Sequence, residues 1–149
     1  MEEIGIDSQL VEEIRKQNKY VEARLGKPRF LKIKEGDVIS IREDLYLDGN
    51  IIDSFTDSLR IKITQILYFE SFDEMFNSID YKSAVPTAKN ITQAKDKYRE
   101  FYSKEDEAEY GIVAMFFEFP EPNNRLWLIR FYQINYKFQL KNALVALPL

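Results

Sequence analysis

Lys19-Tyr20-Val21-Glu22-Ala23-Arg24-Leu25 alternates in a way that decides how the chain is read. Val21, Ala23 and Leu25 make an apolar strand face and Tyr20, Glu22 and Arg24 the opposite one, because successive side chains of a strand point to opposite sides. A carboxylate and a guanidinium therefore sit side by side, with the Lys19 ammonium at the entrance to the strand. If partly buried, Glu22 and Arg24 hold each other ionised, with the carboxylate pKa lowered. On a solvated strand the same residues are an ordinary ion pair of little energetic weight.

Upstream, Asp7 or Ser8 caps a helix that carries Leu10, Val11 and Ile14 on one side and frays near Asn18. Downstream, Gly26, Lys27 and Pro28 break the strand, and Phe30, Leu31 and Ile33 form a short helical turn that plugs one end of the core. Gly36-Asp37 makes a tight turn into a second strand, Val38 to Ile41, followed by a polar loop that holds a hairpin around Asp48-Gly49-Asn50. Leu59 to Phe69 reads as a strand whose fully apolar second half lies deeper than its first. Ser71 with Glu74, and Asn90 with Gln93, are capping pairs for two helices. The inward faces are Phe72, Met75, Phe76 and Ile79 in one, and Ile91, Ala94, Tyr98, Phe101 and Tyr102 in the other. Ser103 and Asp106 open a short acidic turn ending at Gly111, and its acids read as a solvated helix start. Ile112 to Phe119 is apolar on both faces and so is a central strand, and Arg125 to Leu140 alternates as one long strand with a single buried side. Helix, strands, helices, strands without βαβ regularity predicts an α+β class, a small mixed β-barrel flanked by short helices, in a single domain over 1–149.

The composition closes off much chemistry. The 149 residues include no cysteine and no histidine. That excludes disulfides, thiolate nucleophiles, imidazole bases and Cys- or His-ligated zinc. The acidic run Glu105, Asp106, Glu107, Glu109 lacks the ordered spacing of a calcium loop, so no metal and no cofactor is expected. With no signal-peptide pattern and no apolar stretch of membrane length, a cytoplasmic protein is expected by elimination. The net charge of −4 conceals a segregation. From Arg15 to Lys34 eight basic residues face one acid, Glu22, a local balance of +7, and the chain after Pro122 carries +4. A basic face of this kind either meets phosphates or is merely solvated.

Lys19 to Leu25, with Gly36-Asp37 opening the next strand, resembles the signature of ASCH domains, members of the PUA-like superfamily. Phe69 to Met75 is similar to that family's strand-to-helix joint, and Tyr102 to Glu107 through Tyr110 to Ala114 to its acidic turn into the last core strand. The resemblance covers about 18–119 and leaves the C-terminal strand and tail, 125–149, outside. It implies a PUA-like β-barrel with a cleft beside its first strand, linked to RNA binding and, in some members, to hydrolysis of N4-acylated cytidine. Those hydrolases use a lysine, a threonine and a glutamate; Lys19 matches the lysine, and Glu22 stands where the threonine would be.

The expected function is accordingly an RNA- or modified-nucleotide-binding module. Lys19, Tyr20, Glu22, Arg24 and Tyr102 would meet the ligand, and Lys27, Arg29, Lys32 and Lys34 would track a nucleic-acid backbone. The alternatives are a metal-free amidohydrolase, with Glu22 as general base and Lys19 stabilising an oxyanion, and a protein-interaction domain without a nucleotide ligand.

Overall fold

The computed structural model describes residues 1–120, and the reading of Arg125 to Leu140 as a strand, with the tail beyond it, lies outside them. In chain order the elements are β1 (Glu3–Asp7), α1 (Ser8–Arg15), β2 (Val21–Leu25), α2 (Pro28–Leu31), β3 (Val38–Leu47), β4 (Asn50–Phe69), α3 (Phe72–Ser78), α4 (Tyr81–Ala84), α5 (Ile91–Arg99), α6 (Lys104–Tyr110) and β5 (Ile112–Glu118). This is the mixed α+β architecture expected, built on one five-stranded sheet in the order β1-β3-β4-β5-β2. β1 runs parallel to β3, and every other neighbouring pair is antiparallel.

The sequence reading passed over β1, although Ile4 and Ile6 alternate with Glu3, Gly5 and Asp7 and are buried. Asp7 ends this strand and caps α1, its carboxylate accepting from the Gln9 N–H at 2.9 Å. The hairpin at Asp48-Gly49 is present, but its arms are far longer than read, because β3 and β4 keep pairing out to Leu47 and Asn50 across two irregularities. The second half of β4 is not the deeper one. A register shift between Ile63 and Gln65 leaves Ile66 and Leu67 half-buried and Tyr68 exposed, while Leu59, Ile61 and Ile63 are buried.

Two apolar cores result. One gathers Ile4, Ile6, Val11, Ile14, Ile39, Ile41, Leu59, Ile61 and Ile63. The other gathers Val21, Ala23 and Leu25 with Phe72, Met75, Phe76, Ala94 and Tyr98 of the helices. β5 divides between them, with Val113, Met115 and Phe117 in the first and Ile112 and Ala114 in the second. By strand alternation the cores therefore cover opposite faces of the sheet, which is why this central strand is apolar on both sides. Each fully buried Val or Ile contributes about 1.5–3 kcal/mol.

The capping residues act as read. Ser71, Asn90 and Ser103 each accept from the backbone N–H three residues on, and Gly111 closes α6 at φ 64°. Two details differ. Leu31 is exposed, so the plug formed by α2 is Phe30 and Ile33. Glu107 is not part of a solvated acidic face: it is buried, accepts from the Phe72 N–H at 2.5 Å and pairs with Arg99 at 2.5 Å.

Candidate binding cleft

The sheet's hydrogen-bonded order ends at β1 on one side and β2 on the other, with no ladder joining them among the described residues. Side chains cross the seam instead. Arg24 Nη2, from β2, donates to the Gly5 carbonyl of β1 at 2.6 Å, and Arg29, from α2, donates to the Glu3 carbonyl two residues earlier.

At this seam the charged face of Lys19 to Leu25 turns inward. Glu22 pairs across the sheet with Met115, and Arg24 with Val113. Directly opposed side chains share a face, so both charges lie on the side of the first core rather than in solvent. Lys19, at 1% exposure, sits behind them. Its ammonium donates to Val21 O at 2.6 Å and Ala84 O at 2.7 Å and meets Glu22 Oε2 at 2.9 Å, so its three N–H groups are all used. The other Glu22 oxygen, Oε1, accepts from Arg24 Nε at 2.7 Å. Arg24 thus commits Nε to Glu22 and Nη2 to Gly5, with the Tyr102 phenol beside the same guanidinium.

Burial pulls the Lys19 ammonium below the ordinary lysine value, with Glu22 working against it. Burial alone would raise Glu22, but the two cations outweigh it and hold the carboxyl below its usual range. The array carries two positive charges and one negative.

In front of it opens a cleft of about 120 Å³. Lys19, Glu22, Arg24 and Tyr102 are all brought together on its lining. Tyr46 from β3, Tyr98 from α5, the segment Gly5 to Asp7, and Lys97 with Phe101 complete it. Tyr98 stacks on Phe72 at 4.4 Å between ring centroids, which fixes that wall, and Phe101 meets the Tyr46 ring edge-on at 6.4 Å. Phe101 is 55% exposed, so it belongs to the mouth of the cleft and not to the core where its helical spacing placed it. Burial raises all three tyrosines, Tyr98 the most, and keeps their phenols protonated.

Tyr20 is not brought into the cleft. It is 46% exposed and lines a separate depression with Ile14, Gln17 and Phe117. Of the expected backbone-tracking residues, Arg29 is tied to Glu2 and to β1, and Lys27 lies over the Tyr110 ring at 5.3 Å. Lys32 and Lys34 are exposed and make no ion pair among the described residues. Phe30 of α2 packs under Arg24, 5.8 Å from guanidinium to ring centre, so this basic turn adjoins the seam.

Two solved structures are similar to the chain. The crystal structure of hypothetical protein PH0355 is 30% identical, covers 78% of this chain and 95% of its own, and superposes with a TM-score of 0.66. The solution NMR structure of protein PF0455 from Pyrococcus furiosus is 31% identical, with 80% and 97% covered and a TM-score of 0.62. The chain belongs to their family. No family model and no curated protein matches it. Family membership therefore carries the fold, and the chemistry of the cleft rests on this chain's own residues.

Sequence reasoning missed Gly5, Asp7, Tyr46 and Lys97. Gly5 and Asp7 had a signal, the Ile4/Ile6 alternation of an edge strand. Lys97, near the end of α5, lies 5.9 Å from the ring of Phe101 just beyond that helix. Tyr46 had none, since only the extended pairing of β3 carries it to the seam.

Proposed function

We propose that the protein is a nucleotide- or RNA-binding module of the PUA-like, ASCH type, its sheet a small barrel left open at the β1/β2 seam and its ligand seated in that opening. The observation that carries this reading is Arg24, whose guanidinium is anchored at the seam by Glu22 and Gly5 while facing an aromatic-walled cleft. A cation of fixed orientation beside aromatic faces suits a base together with its phosphate. The resemblance of Lys19 to Leu25 and of Tyr102 to Ala114 to ASCH domains supports the same reading.

The amidohydrolase reading draws less support. Its general base would be Glu22, and a carboxylate held ionised by two cations is a weak base. Lys19, its three donors already spent, has none to offer an oxyanion. The protein-interaction reading has one observation of its own: Leu45, Leu47, Ile51, Ile52 and Phe55 expose apolar side chains on the β3/β4 hairpin.

A binding and turnover screen against short single-stranded RNAs, nucleotides and N4-acetylcytidine separates the three readings. The nucleotide reading expects binding that weakens steeply with salt and is lost in Arg24→Ala. Turnover of the acylated nucleoside would move the assignment to the hydrolase. Neither binding nor turnover would leave the interaction domain.

A further inference from the structure

The hydrogen-bonding groups around the cleft differ in how far they are already engaged. The two carboxylates that line the cleft are already engaged: Glu22 holds Lys19 and Arg24, and Asp7 caps α1. The donors are not. Of the five Arg24 N–H groups, Glu22 and Gly5 take two, and the hydroxyls of Tyr46 and Tyr98 donate to no described residue. Among the described residues, the one fully buried side-chain nitrogen or oxygen without a partner is Arg99 Nη1. No polar side-chain atom of Arg24, Tyr46 or Tyr98 is buried without a partner, and all three residues line the cleft. The Tyr102 phenol stands beside Arg24, and Lys97 lines the same space, paired with Glu100 at 3.6 Å and lying 5.9 Å from the Phe101 ring centre.

We propose that the cleft selects its ligand by an acceptor oxygen, received by the Arg24 guanidinium with the phenols of Tyr46, Tyr98 and Tyr102 around it, and disfavours a group that presents N–H donors to Arg24. The inference deepens the nucleotide reading and rests on it for the molecule that carries the oxygen. Two parts of a nucleotide offer such an oxygen: the O4 of a uracil-type base, where cytosine has an amino group instead, and the phosphate. An amino group placed against the Arg24 guanidinium sets donor against donor, whereas the phenols both donate and accept and tolerate either group, so the discrimination falls to Arg24. Burial raises the tyrosine pKa values, so the phenols stay neutral and can donate to such an oxygen.

The test is calorimetric titration of the full chain, at low salt, with uridine, cytidine, their 5′-monophosphates and inorganic phosphate. Uridine binding at least about tenfold tighter than cytidine places the base oxygen on Arg24, the discrimination expected when a hydrogen bond is exchanged for an unpaired donor. Both monophosphates binding well above both nucleosides places the phosphate there. Cytidine equal to or tighter than uridine, with no gain from phosphate, overturns the inference and leaves the nucleotide reading standing. Inorganic phosphate binding while no nucleoside or nucleotide does keeps the inference and removes the nucleotide reading. No binding by any of the five removes both. Tyr46→Phe and Tyr102→Phe keep the ring and delete the donor; each is expected to weaken the best ligand about three- to tenfold. Unchanged affinity in both overturns the role given to the phenols.

Discussion

Arg24 Nη2 donates to the carbonyl of Gly5 at 2.6 Å, and this side-chain bond joins β2 to β1, the two end strands of a sheet whose backbone ladders do not meet among the described residues. One residue is therefore at once an edge tie, the partner of a buried carboxylate and the cation facing the cleft.

Arg24→Ala removes all three roles together. It leaves the Gly5 carbonyl without its donor and Glu22 with one cation in place of two. The expected cost is about 2 kcal/mol, below the full penalty for an orphaned buried charge because Lys19 still holds Glu22. Arg24→Lys keeps a charge but not the fork that spans Nε to Nη2, and is expected to recover less than half of that loss. Urea midpoints of the two variants against the parent measure both; equal midpoints for Arg24→Ala and the parent would mean that the seam bond carries no load.

Gly5→Ala attacks the seam from its other side. A methyl group there would lie 2.4 Å from Arg42 Nη2 and 2.5 Å from Asp44 Oδ2. Arg42 has room to swing away. Asp44 is buried and held by Arg42 and Ser54, so β1 has to shift instead. We expect a loss of about 1–2 kcal/mol in urea, typical of overpacking, together with weaker nucleotide binding through the displaced Gly5 carbonyl. Full stability with full binding would show that β1 has slack.

Acid should unfold the protein through its engaged carboxylates. Glu22 and Glu43 both have folded pKa values below the ordinary one. In each, burial pushes upward and is outweighed, by Lys19 and Arg24 for Glu22 and by bonds from Arg15, Ser58 and Ser8 for Glu43. A depressed folded pKa means that the unfolded chain binds protons first. The stabilisation is thus complete above the unfolded carboxylate value of about 4.3 and is lost as pH falls through the folded value. Urea midpoints should be level from neutral pH down to about 5 and then fall, and Glu43→Gln should make the fall shallower. A midpoint that holds steady to pH 3 would contradict the pairing.

How far the sequence discloses this site depends on the distance over which each part is determined. The two-residue period of Tyr20 to Leu25 is local, and it correctly separates Ala23 from Glu22 and Arg24. The capping residues Asp7, Ser71, Asn90 and Ser103 are equally local, and all four cap the helices they precede. What a period cannot disclose is which face looks inward. Glu22 is buried and Arg24 half-buried because β5 lies beside β2 and turns their face toward the first core, a pairing between residues about ninety positions apart. Tyr46 reaches the cleft through a hairpin whose polar, bulged arms resemble a loop. Glu107 shows the same limit in reverse, since an acidic run gives no sign that one of its members meets a backbone N–H thirty-five residues away.

Lys19 is where burial and function diverge, and its removal tests the distinction. Its ammonium is enclosed by two backbone carbonyls and Glu22, so it braces α4 against the start of β2 and keeps the carboxylate in place, without itself meeting a ligand. Lys19→Met retains most of the volume and deletes the charge. Two carbonyls lose their donor and a buried carboxylate loses one of its two cations, for an expected cost of about 3 kcal/mol in urea. The protein that remains folded in buffer should still bind nucleotide, with a smaller loss of affinity than Arg24→Ala, because Arg24 and the phenols are untouched. The reverse result, an unchanged urea midpoint with abolished binding, would make Lys19 a contact residue and return it to the role that its place in the sequence first suggested.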